Sequence, residues 1–331
     1  MAELALHHLS QQLLTGNAMM KIAVAQVAPV LLDKEASIAK AVSIIEEAAN
    51  SGAQLVVLPE CFIPGYPSWS WRLKPGADMS YYNDIHASLL KNAVDVSAGD
   101  LSVLLQTAKD CCISVSIGFN EREGDFSRAT IFNSNALISN EGKLLNLHRK
   151  LMPTNPERMI HGIGDARGLR VVDTPVGRVG VLICWESYMP LARYSMYAQG
   201  IDIYLAPTWD SSDLWQSTLQ HIAREGGCYV VGVASCMYGK DVPSNFPHRE
   251  KIFLDDSECI NPGNASVYAP GGKCISEPQG GVERLFYVEI DSTMAAKARR
   301  SLDAAGHYSR SDIFQLEVIR KAFPPIKFHD D

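Results

Sequence analysis

The stretch Arg178-Val-Gly-Val-Leu-Ile-Cys184-Trp-Glu-Ser-Tyr-Met-Pro190-Leu-Ala-Arg193 limits most sharply what this chain can fold into. Val179 to Ile183 is a short, nearly unbroken apolar run with β-branched members, the pattern of a strand buried on both faces. Cys184 ends the run, polar Glu186 and Ser187 follow, and Pro190 suits the first turn of a helix. Leu191, Tyr194 and Ala198 then recur at helical spacing until Gly200. The segment reads as a strand, a sharp turn carrying one cysteine, and a helix. A thiol at that turn lies close to the positive end of a helix, and its pKa is expected to fall towards the reactive thiolate. The alternative is a buried structural cysteine, so the rest of the chain has to decide.

Taken in order, Lys21 to Val27 reads as a strand, Glu35 to Ser51 as an amphipathic helix closed by Gly52, and Gln54 to Pro59 as a second buried strand. Glu60 lies immediately past that strand. Cys61 to Trp71 is too rich in proline and aromatics for regular structure and is expected to be a surface loop, fit for a pocket wall or a subunit contact. Ile113 to Gly118 is another strand, and Ala129 to Ser139 and Leu144 to His148 flank the hairpin signal Asn140-Glu-Gly142. Lys150 stands just beyond the second arm, and Leu151 to Asp165 is loop again. Further strands are expected at Ile201 to Ala206, Tyr229 to Val233, Ala265 to Ala269 and Arg284 to Ile290. Helices are expected at Ser212 to Glu225 and around Met294 to Arg300. Strands alternating with helices, with no linker between them, make one α/β domain the economical reading.

Composition removes several function classes. A net charge of −7 offers no basic footprint for nucleic acid or an anionic membrane. No apolar run approaches the ~20 residues that span a bilayer, and the amino terminus lacks a basic segment leading into an apolar one. The eight cysteines show no CxxC spacing and no disulfide ladder, which points to a reducing cytoplasm. There is no GxGxxG or P-loop, and the histidines are scattered without ligand spacing, so neither a metal nor an organic cofactor is expected.

Glu60, Lys150 and Cys184 share one kind of place: the end of an apolar strand, where open α/β sheets gather catalytic groups. A cysteine nucleophile needs a base for its proton, which Glu60 can be. The tetrahedral species that follows needs a cation or N–H donors, and Lys150 can supply the charge. Singly, each charged residue reads as ordinary solvated surface. Together they point to nucleophilic catalysis, although their spacing alone does not bring them into contact.

Leu58-Pro-Glu60-Cys-Phe-Ile-Pro-Gly-Tyr-Pro67, His148-Arg-Lys150-Leu-Met-Pro-Thr154 and Leu182-Ile-Cys184-Trp-Glu186 resemble the signatures of the nitrilase (carbon–nitrogen hydrolase) superfamily. The resemblance covers residues 21–315, leaving residues 1–20 as an extension and 316–331 as a tail. It implies a four-layer αββα sandwich and a catalytic set of Glu60, Lys150 and Cys184. Glu157, seven positions after the lysine, matches the family's second glutamate. Ala206-Pro-Thr-Trp209, His221 to Gly226 and Gly306-His-Tyr308 are similar to the nitrilase branch rather than to the amidases or carbamoylases. On that resemblance the substrate is a small nitrile, and the chain forms homodimers or larger homo-oligomers. Tyr66, Trp69, His161, Trp185 and Trp209 are the expected pocket walls, with core packing the alternative for the tryptophans. His161 stands where many nitrilases carry Trp, which bears on substrate preference. The rival readings are an amidase or carbamoylase of the same superfamily, and a catalytically inactive binding protein on this fold.

Overall fold

A computed structural model describes residues 19–321 and Ile326. Most of the expected extension over 1–20 and most of the tail over 316–331 therefore lie outside the described residues. The strands run in chain order as β1 (Met19–Gln26), β2 (Leu55–Val57), β3 (Ser114–Arg122), β4 (Ile131–Ile138), β5 (Leu144–Arg149), β6 (Val171–Thr174) and β7 (Gly177–Val181). They continue as β8 (Ile203–Thr208), β9 (Tyr229–Ala234), β10 (Cys236–Tyr238), β11 (Cys259–Pro262), β12 (Ser266–Tyr268), β13 (Cys274–Ser276) and β14 (Arg284–Asp291). Helices α1 (Lys34–Asn50), α2 (Met79–Asn92), α3 (Ser102–Asp110), α4 (Pro190–Tyr197) and α5 (Asp213–Gly226) carry the crossovers.

Two six-stranded sheets result, in the orders β14-β1-β2-β3-β4-β5 and β13-β12-β9-β8-β7-β6, and β10 pairs with β11 as a separate ribbon. The central strands β1-β2-β3 and β7-β8-β9 are parallel, as helical crossovers require, and the flanking strands are antiparallel. Alternation along each strand divides the side chains between two cores. Ile22 and Val24 of β1 meet Val179, Val181, Ile203 and Leu205 of the other sheet. Their neighbours Ala23 and Ala25 face Ala41, Ile45 and Leu104 of α1 and α3. In the second sheet Tyr204 and Ala206 turn instead to Met196, Trp215 and Leu219 of α4 and α5. The layers are therefore helix, sheet, sheet, helix, the expected α/β sandwich.

Local signals set the helix ends. The Asp33 carboxylate accepts from Ala36 N at 2.9 Å to cap α1, and Ser212 Oγ accepts from Trp215 N at 3.2 Å to cap α5. Gly227, at φ 55°, closes α5 in the left-handed conformation. The hairpin at 139–143 forms as expected, with Ser139 N bonded to Lys143 O at 2.8 Å. β1 starts two residues earlier than the sequence indicated because Met19 and Met20 pair with Asp291 and Ile290 of β14.

The segment 61–71 departs from expectation. It is not a surface loop: residues 61–70 are all buried, and only Trp71 is exposed. A buried irregular segment must find partners for its backbone, and Asn120 of β3 provides them. Its backbone N donates to Ile63 O at 2.7 Å and its Nδ2 to Gly65 O at 2.9 Å. Gly118, on the same strand, has no room for a side chain, since a Cβ there would lie 2.7 Å from Cys61 N and 2.9 Å from Glu60 Cα. β3 is thus pressed directly against the turn that carries Glu60.

Candidate active site

Glu60 follows β2, Lys150 follows β5 and Cys184 follows β7, and the fold brings the ends of these strands together. Lys150 Nζ donates to Glu60 Oε1 at 2.8 Å and to Glu157 at 2.8 Å (Oε2) and 3.1 Å (Oε1). All three groups are buried. Glu157 is carried by a single 3-10 turn, Asn155–Met159, and its Oε2 also accepts from Thr154 N at 3.0 Å. Asn133 Nδ2 donates to Glu60 Oε1 at 2.7 Å, whereas Glu60 Oε2 has no partner among the described residues. That oxygen is free to take up a proton.

Cys184 sits at φ 54°, in the left-handed region that ordinary side chains seldom adopt. Thr208 Oγ1, at the end of β8, donates to its Sγ at 3.1 Å. The expectation of a lowered thiol pKa is corrected. Burial, reinforced by the negative charge of Glu60, pushes the thiol up to about 12, and Lys150 offsets only part of this. The reason is geometric: Cys184 opens a five-residue 3-10 turn, Cys184–Tyr188, while α4 begins only at Pro190. No full helix dipole points at the sulfur.

Two carboxylates sharing one ammonium split in character. Burial raises Glu60, and the charge of Glu157 adds to that against the pull of Lys150. Burial also works to raise Glu157, but Lys150, with bonds from Lys150 and Tyr66, holds it below the usual carboxylate range. Burial works to lower Lys150, but the charges of Glu60, Cys184 and Glu157 overcome it and hold the ammonium well above the usual lysine range. Such a divergence between neighbouring carboxylates separates a group that can take up a proton from one that stays ionised.

The aromatic residues take different places. Tyr66 OH donates to Glu157 Oε1 at 2.6 Å, and its ring stacks on Trp209 at 4.5 Å between centroids. Trp185 is 42% exposed and donates to Asp210 Oδ2 at 2.8 Å. Trp69 is buried in a cluster with Tyr82, Ile85 and Phe246, the core-packing alternative for this residue. His161 is buried, with Nε2 2.8 Å from Asn120 Oδ1, and burial pushes its pKa down to about 4, so its ring is neutral. It braces the strand that supports the 61–71 segment. Asn133, which holds Glu60, carried no mark in the sequence beyond its strand position, and Thr208, which holds Cys184, lay within the Ala206-Pro-Thr-Trp209 motif without a role of its own. Among the described residues no group of three or more His, Cys, Asp or Glu has the arrangement of a metal site.

A buried thiol beside a lysine that bridges two carboxylates, set where strand ends of a double-sheet α/β sandwich meet, is the equipment of a hydrolase working through a covalent intermediate. Residues 21–300 match the carbon-nitrogen hydrolase family, and the chain belongs to it. It is 37% identical over 320 residues to a bifunctional nitrilase/nitrile hydratase of Nicotiana tabacum, covering 92% of this chain and 87% of that protein. It is also 37% identical over 299 residues to an aliphatic nitrilase of Sinorhizobium fredii, covering 90% and 95%. A carbon-nitrogen hydrolase from Helicobacter pylori shares the fold at a TM-score of 0.66 and 18% identity, over 90% of this chain and 97% of that one. An amidase from Nesterenkonia sp. does so at 0.61 and 19%, over 86% and 97%.

Proposed function

We propose that this protein is a nitrilase, converting organic nitriles to the carboxylic acid and ammonia through Cys184. The observation that carries the reading is the row Glu60–Lys150–Glu157 with one oxygen, Glu60 Oε2, unpartnered among the described residues, near a thiol that burial keeps protonated. The two curated relatives named above, both with nitrilase in their names, support the choice of substrate.

Because the resting group is a thiol, its proton must leave as sulfur attacks, and Glu60 takes it. The C–S bond forms at the nitrile carbon while the nitrogen receives that proton, giving a thioimidate. Water adds next, its proton passing through Glu60 to nitrogen, and Lys150 with the backbone N–H of Trp185 stabilises the tetrahedral species. The hydroxyl proton then passes through Glu60 to the amine nitrogen, the C–N bond breaks as the C=O bond forms, and ammonia leaves a thioester. A second water, deprotonated by Glu60, attacks it and releases acid and the regenerated thiol. Glu157 holds Lys150 in place, and Tyr66 and Trp209 form one wall of the substrate site. Ring-bearing nitriles fit such a wall, with His161 limiting bulk.

Product analysis on phenylacetonitrile and an aliphatic dinitrile tests the reading: acid and ammonia are expected as main products, unchanged by EDTA. The tobacco relative is named for nitrile hydratase activity as well, so the amide fraction is the branch to quantify. Cleavage confined to the corresponding amides, or activity lost to the chelator, would refute the nitrilase reading; the first of these leaves an amidase. Tyr66→Phe, which deletes one of the donors to Glu157, is expected to lower kcat about 10-fold without unfolding the protein. An unchanged kcat would reduce the hydroxyl to a space-filler.

We further propose that the protein works in the cytoplasm as a homodimer or larger assembly. Its eight cysteines are all free. Leu191 and Leu214, 67% and 71% exposed on α4 and α5, support a subunit contact. No helix among the described residues is long and apolar enough to cross a membrane.

A further inference from the structure

His148 and Glu186 form a buried pair that the chemistry above does not use. Glu186 Oε2 lies 2.9 Å and Oε1 3.1 Å from His148 Nε2. Oε1 also accepts from Leu151 N at 2.6 Å, and Oε2 from Ile183 N at 2.6 Å. Leu151 immediately follows Lys150, and Ile183 immediately precedes Cys184. One carboxylate therefore ties the backbone beside the lysine to the backbone beside the nucleophile, with the histidine ring as third donor.

The topology gives this link its importance. β5, which leads to Lys150, is the edge strand of one sheet, and β7, which leads to Cys184, belongs to the other. No ladder of backbone bonds joins them, so strand pairing does not fix the separation of thiol and ammonium. A buried carboxylate is a poor device for stability alone, since its desolvation cancels much of its attraction. It does impose geometry, because Oε1 is committed to Leu151 N on one side and Oε2 to Ile183 N on the other. Facing this acceptor, His148 Nε2 is the donating nitrogen, and Nδ1 has no partner among the described residues. Resting on the hydrolase reading above, we infer that Glu186, oriented by His148, is a positioning residue that sets the Cys184 thiol against the Lys150–Glu60 pair.

Glu186→Gln keeps the shape but turns an N–H₂ group towards Leu151 N or Ile183 N, whichever way the amide lies, so one arm of the link opens. Displacement of reacting groups by about 1 Å can cost 10²-fold. The test is steady-state kinetics per folded molecule, with the folded fraction taken from near-ultraviolet circular dichroism. Glu186→Gln is expected to lower kcat about 100-fold with KM within about 3-fold of wild type. His148→Gln, whose Nε2 can occupy the donor position, is expected to retain most of kcat, while His148→Leu loses about 10-fold. Wild-type kcat in Glu186→Gln, or a loss confined to KM or to the folded fraction, would overturn the inference. Should Glu186→Gln fail to fold, the histidine variants decide, and equal rates for His148→Gln and His148→Leu count against it. Running the series on a nitrile and its amide separates the two readings. A wild type active only on the amide refutes the nitrile substrate, while the variant comparison still judges the positioning role.

Discussion

Cys184→Ala is expected to abolish nitrile turnover, a loss on the order of 10⁴-fold or more, while the protein remains folded. The energetic reasoning is local. The substitution removes one sulfur from a buried turn and leaves Thr208 Oγ1 without the acceptor it holds at 3.1 Å. A lost hydrogen bond and a small void cost about 1–3 kcal/mol, within what a domain with several buried hydrophobic clusters can bear. Alanine tolerates φ 54° about as well as cysteine does, so the turn gains no new strain. The chemistry has no substitute, because Glu60, Lys150 and Glu157 supply no nucleophile of comparable softness. Intact-protein and peptide mass spectrometry after quenching turnover should place a substrate adduct on Cys184 alone among the eight cysteines. Buried Cys61 and Cys228 are the informative controls, since burial raises both thiols as it does Cys184. An adduct on either, or an active Cys184→Ala variant, would remove Cys184 from the mechanism.

Glu157→Gln should cost on the order of 10²-fold or more in kcat although nucleophile, lysine and Glu60 all remain. Glu157 Oε1 accepts from Tyr66 and Lys150, and Oε2 from Thr154 N and Lys150. An amide in either orientation sets its N–H₂ against a donor, so Lys150 loses its fixed position. The charge matters as well. The negative charge of Glu157 helps keep Glu60 raised; without it Glu60 falls towards the ordinary carboxylate range and becomes a weaker base. The acidic limb of the pH–rate profile is therefore expected to move to lower pH while the plateau drops. Lys150 keeps its bond to Glu60, so its buried ammonium is not stranded and the fold survives. A wild-type rate with an unmoved acidic limb would make Glu157 a structural cap of its 3-10 turn.

The sequence by itself determined the α/β alternation, the hairpin over 139–143 and the strand–turn–helix around Cys184. Apolar periodicity, glycine and proline act within a few residues of one another, so one stretch can be read without the rest. Strand ends also marked Glu60, Lys150 and Cys184, and the family resemblance marked Glu157, seven positions after the lysine. Only the tertiary structure decided the thiol's resting state, since burial is a property of the surroundings and outweighed the turn's weak dipole. Only it decided that 61–70 is interior rather than surface, because the partners of that backbone come from Asn120, more than fifty residues away. It separated the aromatic residues likewise: Tyr66 and Trp209 stack beside Glu157, while Trp69 sinks into the core. Asn133 and Thr208 each act between strands of one sheet, and the His148–Glu186 link acts between the two sheets. Contacts of that kind depend on the order of strands within each sheet and on how the two sheets pack, and local pattern carries no record of either.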